Sequence, residues 1–284
     1  MSDALEFTKM HGAGNDFVVL DGIRHALPPI EPLAQRLCDR HFGIGADQLL
    51  VVRPSRAEAA AFRMEIFNAD GSQVEMCANG IRAFYKYLRD RGHTDRDEIG
   101  VETLSGVVRP RWAGPDLVTV DMGRPVLAPA KIPTALAEGD GPVLDVPLPL
   151  DGEVLSVSSV SMGNPHAVLF VENPDTAPVE RLGPRVEHHP AFPNRVNVEF
   201  VTVVDRGRIR QRTWERGTGE TLACGSGACA VAVVSMLRGV VDRAVRIELR
   251  GGELAVAWPD DAGHVEMTGP AAEVFTGRIP LEGA

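Results

Sequence analysis

Landmarks in this chain recur at a nearly constant spacing, so the sequence is written twice. Gly14-Asn15-Asp16-Phe17-Val18-Val19-Leu20 returns as Gly163-Asn164-Pro165-His166-Ala167-Val168-Leu169, which puts Asn15 and Asn164 149 residues apart. Gln48, leading Leu49-Leu50-Val51-Val52, is answered by Asn197, leading Val198-Glu199-Phe200-Val201, again after 149. Asn68 stands nine residues before Cys77 and Glu215 nine before Cys224, with the cysteines 147 apart. Val120-Asp121-Met122-Gly123-Arg124-Pro125 resembles Val265-Glu266-Met267-Thr268-Gly269-Pro270, with the prolines 145 apart. Landmarks that keep one order while their offset drifts only from 149 to 145 define an internal duplication, and a duplication dictates architecture. The copies read as residues 1–122 plus 270–284, carrying Cys77, and residues 123–269, carrying Cys224. The Pro-, Ala- and Gly-rich stretch Pro125 to Gly152 reads as the crossing between them, and Ala272 to Pro280 as a return to the first half.

Each copy alternates short β-branched strands with a helix that follows its cysteine, which predicts an α+β chain of two pseudo-symmetric halves. One helix covers Ile81 to Arg89 and stops near Gly92; the other covers Gly227 to Leu237 and stops at Gly239. The second is apolar on nearly every side and is expected to be buried. At 44% hydrophobic and 24% charged residues, disorder and coiled coil are disfavoured. A net charge of -10 without a dense Lys/Arg run speaks against nucleic-acid or anionic-membrane partners. No stretch of about 18 apolar residues occurs, and the start lacks a basic region followed by an apolar one, so a cytosolic location is expected. In that compartment Cys38, Cys77, Cys224 and Cys229 read as thiols. They lack the C-x2-C spacing of a zinc site, and no metal is expected.

Cys77 lies in Glu75-Met76-Cys77-Ala78-Asn79-Gly80 and Cys224 in Leu222-Ala223-Cys224-Gly225-Ser226-Gly227, each among small residues at a helix start. Such a start offers unpaired N–H groups and a partial positive charge, which hold a carboxylate and lower a nearby thiol's pKa. Inverting a stereocentre by proton transfer needs a base on one face of a carbon and an acid on the other. Two helix starts related by the duplication can present one thiol to each face of a bound amino acid. The competing reading, two small buried residues, fits either cysteine alone better than a matched pair. Cys38 and Cys229 have no matched setting and read as core.

Asn15, Asn68, Asn164, Asn197 and Gln48 each begin or end an apolar run, suiting either a strand cap or contact with a zwitterion, since amides both donate and accept. Glu215-Arg216 offers a carboxylate for an ammonium and a planar fork for a carboxylate. His166 suits supporting a thiol or capping a turn. A pyridoxal enzyme would need a Schiff-base lysine, whereas Lys9, Lys86 and Lys131 read as surface or strand positions.

These residues resemble the diaminopimelate epimerase family from Met10-His11-Gly12-Ala13-Gly14-Asn15-Asp16-Phe17 to the final strands. Further matches are Arg40-His41-Phe42-Gly43-Ile44-Gly45-Ala46-Asp47-Gln48 and the run Glu215 to Cys229. The resemblance implies two similar halves, each a strongly curved mixed sheet around a central helix, with the active site in the cleft between them. It implies interconversion of LL- and meso-diaminopimelate, toward lysine and the cell wall, without pyridoxal phosphate or metal. Cys77 and Cys224 match the acid/base pair, and His166 and Glu215 match residues supporting catalysis. Asn15, Gln48, Asn68, Asn164, Asn197, Glu215 and Arg216 match substrate contacts; Ala78-Asn79 and Gly225-Ser226 match the backbone that holds the reacting carboxylate. The family's members are typically homodimers, and Phe275 stands where an aromatic residue contributes to that contact. Ala78 departs from the family's more frequent Gly, which leaves its N–H usable where φ is negative. A proline or hydroxyproline racemase and a non-catalytic amino-acid binder are the rival readings; Glu215-Arg216 with the amide set disfavours the first, and the presence of both thiols the second.

Overall fold

The computed structural model describes residues 4–280 and divides into two compact units, Met1–Val120 with Gly269–Ala284, and Asp121–Thr268. In the first unit the strands lie in the order Ala272–Pro280, Ala4–Gly12, Asn15–Asp21, Gln48–Pro54, Phe62–Asn68, Val101–Thr103 and Gly106–Val108, with Gln73–Val74 also on Phe62–Asn68. Asn15–Asp21 is parallel to Gln48–Pro54, and parallel neighbours need a crossover; helix α1 (Ile30–Cys38) supplies it. Phe62–Asn68 is likewise parallel to Val101–Thr103, and α2 (Ala78–Asp90) lies between them in the chain.

The second unit repeats this path. Its strands run Val143–Leu150, Glu153–Ser161, Pro165–Phe170, Asn197–Asp205, Arg208–Glu215, Ala244–Leu249 and Gly252–Ala257, with Gly219–Thr221 on Arg208–Glu215. The parallel pairs again fall between the third and fourth strands of the order, Pro165–Phe170 and Asn197–Asp205, and between Arg208–Glu215 and Ala244–Leu249, bridged by α3 (Val179–Glu187) and α4 (Gly225–Leu237). Even the register is conserved: Phe17 is opposite Gln48, and His166, 149 residues later, is opposite Asn197.

Strand alternation sends successive side chains to opposite faces, and each unit uses both. Val18, Leu20, Leu49 and Val51 pack against Leu33, Ala34 and Leu37 of α1. Their counterparts Ala167, Leu169, Val198 and Phe200 pack against Val179, Leu182 and Val186 of α3. The other face turns to the central helix: Leu50 approaches Gly80 of α2, and Glu199 approaches Gly227 of α4. Every residue from Asn79 to Leu88 is buried, as is every residue from Gly227 to Met236, so both central helices are enclosed within their own unit.

Two readings of the sequence change here. The stretch Pro125 to Gly152 is not simply a linker, because Val143–Leu150 is the edge strand beside Glu153–Ser161. Lys86 is neither at the surface nor in a strand but buried in α2, whereas Lys9 lies in the strand Ala4–Gly12 as read and is buried there; carboxylates offset each one's loss of hydration, Asp16 at 2.6 Å for Lys9, and Asp90 and Asp116 at 2.9 and 2.8 Å for Lys86.

The strand Ala272–Pro280 pairs along Ala4–Gly12 nearly end to end, and Ile279 packs on the core around Leu5 and α1. Truncation before Ala272 should therefore lower the melting temperature of the first unit by roughly 5 °C or more. Calorimetry of the truncated chain beside the full one checks this.

Candidate active site

In the first unit Cys77 is the N-cap of α2, with extended backbone (φ -137°, ψ 118°) and a sulfur that accepts from the Gly80 N–H at 3.3 Å. A β-carbon on Gly80 would lie 3.3 Å from the Cys77 Cβ, so glycine there gives the cap its room. Ala78 opens the helix with ordinary helical backbone, so its departure from glycine leaves the N–H direction intact. Asn79 commits its side-chain oxygen to buried Arg82 at 2.8 Å.

The Cys77 thiol donates to Asn15 Oδ1 at 3.7 Å. The Asn15 amide is oriented by Asp47, whose carboxylate accepts from Nδ2 at 2.9 Å. Asp47 in turn pairs with Arg40, which also grips Asp16. Arg40 and Lys9 hold the Asp16 carboxyl well below its usual range, despite the burial that opposes this. Gln48 donates to Asn68 Oδ1 at 3.0 Å, and Asn68 donates to Ser72 at 3.0 Å.

In the second unit Cys224 caps α4 in the same manner, accepting from Gly227 N–H at 3.4 Å, and its sulfur lies 3.5 Å from the Ser226 hydroxyl. Asn197 Oδ1 accepts from the Arg216 N–H at 2.7 Å, while the Arg216 guanidinium donates to the Asn194 carbonyl at 2.9 Å. His166 meets Asn164 Oδ1 at 3.1 Å through Nε2 and Glu199 at 2.8 Å through Nδ1. Two buried amide atoms at matching places have no partner: Gln48 Oε1 and Asn197 Nδ2. A buried polar atom left unpaired is destabilising by about 1–3 kcal/mol, so each carries unmet hydrogen-bonding capacity.

A helix start alone would lower a thiol's pKa, yet Cys224 goes the other way. Burial pushes it well above the usual value, and the Glu215 and Glu199 carboxylates add to this; the Ser226 hydroxyl and Gly227 N–H oppose them without prevailing. Burial also raises Glu215, and Glu199 pushes the same way, against hydrogen bonds from Thr221 (2.5 Å) and the Cys224 thiol. Cys38 is pushed up to about 12 by burial, as suits a core thiol, and none of the four cysteines is in a disulfide.

Glu199 and Asp47 were not among the residues singled out from the sequence. A comparison of the two copies position by position would have flagged Glu199, since its counterpart 149 residues earlier is Leu50 and that of His166 is Phe17.

The diaminopimelate epimerase family model matches residues 7–128 and 158–274. The chain is 51% identical over 279 residues to a diaminopimelate epimerase of Aromatoleum aromaticum, covering 98% of this chain and 100% of that one. It is 48% identical over 282 residues to that of Acetivibrio thermocellus, covering 98% and 99%. The chain belongs to the diaminopimelate epimerase family. Among solved structures, a hydroxyproline epimerase from Agrobacterium vitis superposes with a TM-score of 0.70 at 16% identity, covering 100% of this chain and 95% of that one. A Bacillus anthracis phenazine biosynthesis protein of the PhzF family gives 0.70 at 15%, covering 98% and 100%. At such identities the likeness to these two shows that the epimerase family's fold is shared, and no more.

Because its folded pKa is raised, Glu215 contributes full stability only below the unfolded carboxyl pKa, and that contribution is lost as pH rises through the folded value. Glu215→Gln in this epimerase-family chain should accordingly melt no lower than the parent at pH 8, with its melting temperature relative to the parent higher at pH 8 than at pH 4. Thermal melts at the two pH values check the sign.

Proposed function

We infer that this protein is an isomerase that epimerises LL-diaminopimelate to meso-diaminopimelate with its own thiols and no cofactor, feeding lysine and peptidoglycan synthesis. The observation that carries this reading is the pair of N-capping thiols at equivalent helix starts in a chain about half identical to diaminopimelate epimerases over nearly its whole length. In this reading each thiol serves one face of the substrate's α-carbon. Backbone N–H groups of Ala78-Asn79 and Gly225-Ser226 hold the α-carboxylate, where negative charge grows as the α-proton leaves. Cys224, kept protonated by burial and its neighbouring carboxylates, donates to one face, while Cys77, once ionised by loss of the proton its thiol donates in the hydrogen bond to Asn15, takes the α-proton from the other. Each turnover leaves the thiols with exchanged protonation states, which the reverse reaction or solvent exchange resets. His166 and Glu215 support the Cys224 side.

Asn15, Gln48, Asn68, Asn164, Asn197, Glu215 and Arg216 read the rest of the substrate, and the orphaned atoms of Gln48 and Asn197 gain partners when it binds. A site built to pair polar groups rejects analogues that leave them unpaired, so this set favours a two-headed amino acid over proline. Presence of both thiols favours catalysis over mere binding. Among the described residues no helix is long and apolar enough to cross a membrane, and working thiols suit the reducing cytosol.

In heavy water at low conversion, new meso product should carry deuterium at the inverted carbon while unreacted substrate keeps protium. Substantial protium in that product, read by mass spectrometry, would remove the two-thiol mechanism. Cys77→Ala and Cys224→Ala should each lower kcat by roughly a thousandfold or more with the fold intact.

The protein works as a homodimer through the edge strand Ala272–Pro280, where Val274 and Phe275 are exposed and Phe275 stands edge-on to Phe7 at 5.9 Å. Phe275→Asp should yield monomers in analytical ultracentrifugation under conditions where the parent sediments as a dimer.

A further inference from the structure

Four buried residues of the second unit form a polar cluster at positions where the first unit has hydrocarbon. Glu199 is fully buried; its Oε1 accepts from His166 Nδ1 at 2.8 Å, and its Oε2 accepts from Gln211 Nε2 at 2.7 Å and from the Thr213 hydroxyl at 2.6 Å. Gln211 also donates to Thr213 at 2.9 Å. The ladder registers identify the equivalents: His166 opposite Asn197 matches Phe17 opposite Gln48, Glu199 opposite Thr213 matches Leu50 opposite Ile66, and Val201 opposite Gln211 matches Val52 opposite Met64. Phe17, Leu50, Met64 and Ile66 are all buried.

The protein thus contains its own control. The same backbone packs well at these places with four apolar side chains, and replacing a buried charged cluster by hydrocarbon of similar volume is often neutral or stabilising. Folding alone does not explain the cluster. It also lies against the chemistry on one side only: a β-carbon on Gly227 would meet Glu199 Oε1 at 2.5 Å, whereas one on Gly80 would meet the Leu50 methyl at 3.4 Å. Gly227 is the residue whose N–H caps onto Cys224.

We propose that Glu199 is the positioning residue that makes the two thiols unequal. It holds His166 by Nδ1 so that Nε2 meets Asn164, and it sets a carboxylate beneath the first turn of α4 with no counterpart under α2. This rests on the epimerase reading above and deepens it. The groups that face Cys224 are Glu215 from Arg208–Glu215, Glu199 from Asn197–Asp205, and on α4 itself the Ser226 hydroxyl and Gly227 N–H; His166, from Pro165–Phe170, acts on Glu215. The two carboxylates both favour the protonated thiol. Removing the charge of Glu199 therefore shifts thiol ionisation at Cys224 to lower pH.

The experiment compares the parent with Glu199→Gln in LL-to-meso epimerisation across pH. A second variant, His166→Phe/Glu199→Leu/Gln211→Met/Thr213→Ile, gives the second unit the first unit's side chains and serves should Glu199→Gln fail to fold. The expected result is a roughly 100-fold lower kcat, KM within about threefold, and a basic limb of the kcat/KM profile displaced to lower pH. The apolar variant should be as stable as the parent or more so and similarly slow. A parent-like kcat and unmoved limb in either folded variant overturn the proposal, as does a variant whose only change is a lower melting temperature. A parent that does not epimerise diaminopimelate overturns the epimerase reading instead, whatever the variants do.

Discussion

A cysteine sulfur accepting the N–H of the residue three further on is the contact from which the rest of each unit follows. That contact makes the cysteine the last extended residue and starts a helix at once, with small residues in the first turn. The helix can carry polar chemistry at its start only if its body is anchored, and both helices are buried along almost their whole length. Burying a helix on every side needs a sheet that bends around it. The parallel crossovers at α1 and α3 cover the sheet's other face, so both faces of these strands are buried and the helix start is held rigidly.

Most of this was legible in the sequence because it is written twice. The 149-residue offset that links Asn15 to Asn164 reappears as an identical ladder register at Phe17 and His166, and both central helices begin within a few residues of their expected starts. Helices α1 and α3 were not legible. Each is nine residues long with a proline inside, Pro32 and Pro184, and neither has a side-chain cap. Their existence depends on a sheet face that needs covering, which local pattern does not display. Val143–Leu150 hid for a similar reason, since Pro147 and Pro149 are tolerated there only because the strand lies at an edge.

The site was legible in its residue types and less so in its electrostatics. A helix start predicts a more acidic thiol, but Cys224 is surrounded by burial and two carboxylates that outweigh the helix. Burial depth and the direction of a neighbour's side chain are tertiary facts. Lys9 and Lys86 make the same point: each looked like an ordinary lysine until the fold brought carboxylates to it. Duplication supplies the scaffold, and departures from it, such as Leu50 against Glu199, supply the difference in chemistry between the copies.

The pairing of Ala272–Pro280 with Ala4–Gly12 also fixes an order of assembly on the ribosome. The second unit is a continuous run of chain and can close once Thr268 is made. The first unit must wait with one edge open: at roughly 5–20 residues per second, the strand around Thr8 is made about 13–54 s before its partner at Thr276. During that interval its unpaired backbone is a template for other nascent chains. Glu6 and Lys9, within that strand, place charge on it while it waits. The half that is translated first is therefore the half that is finished last.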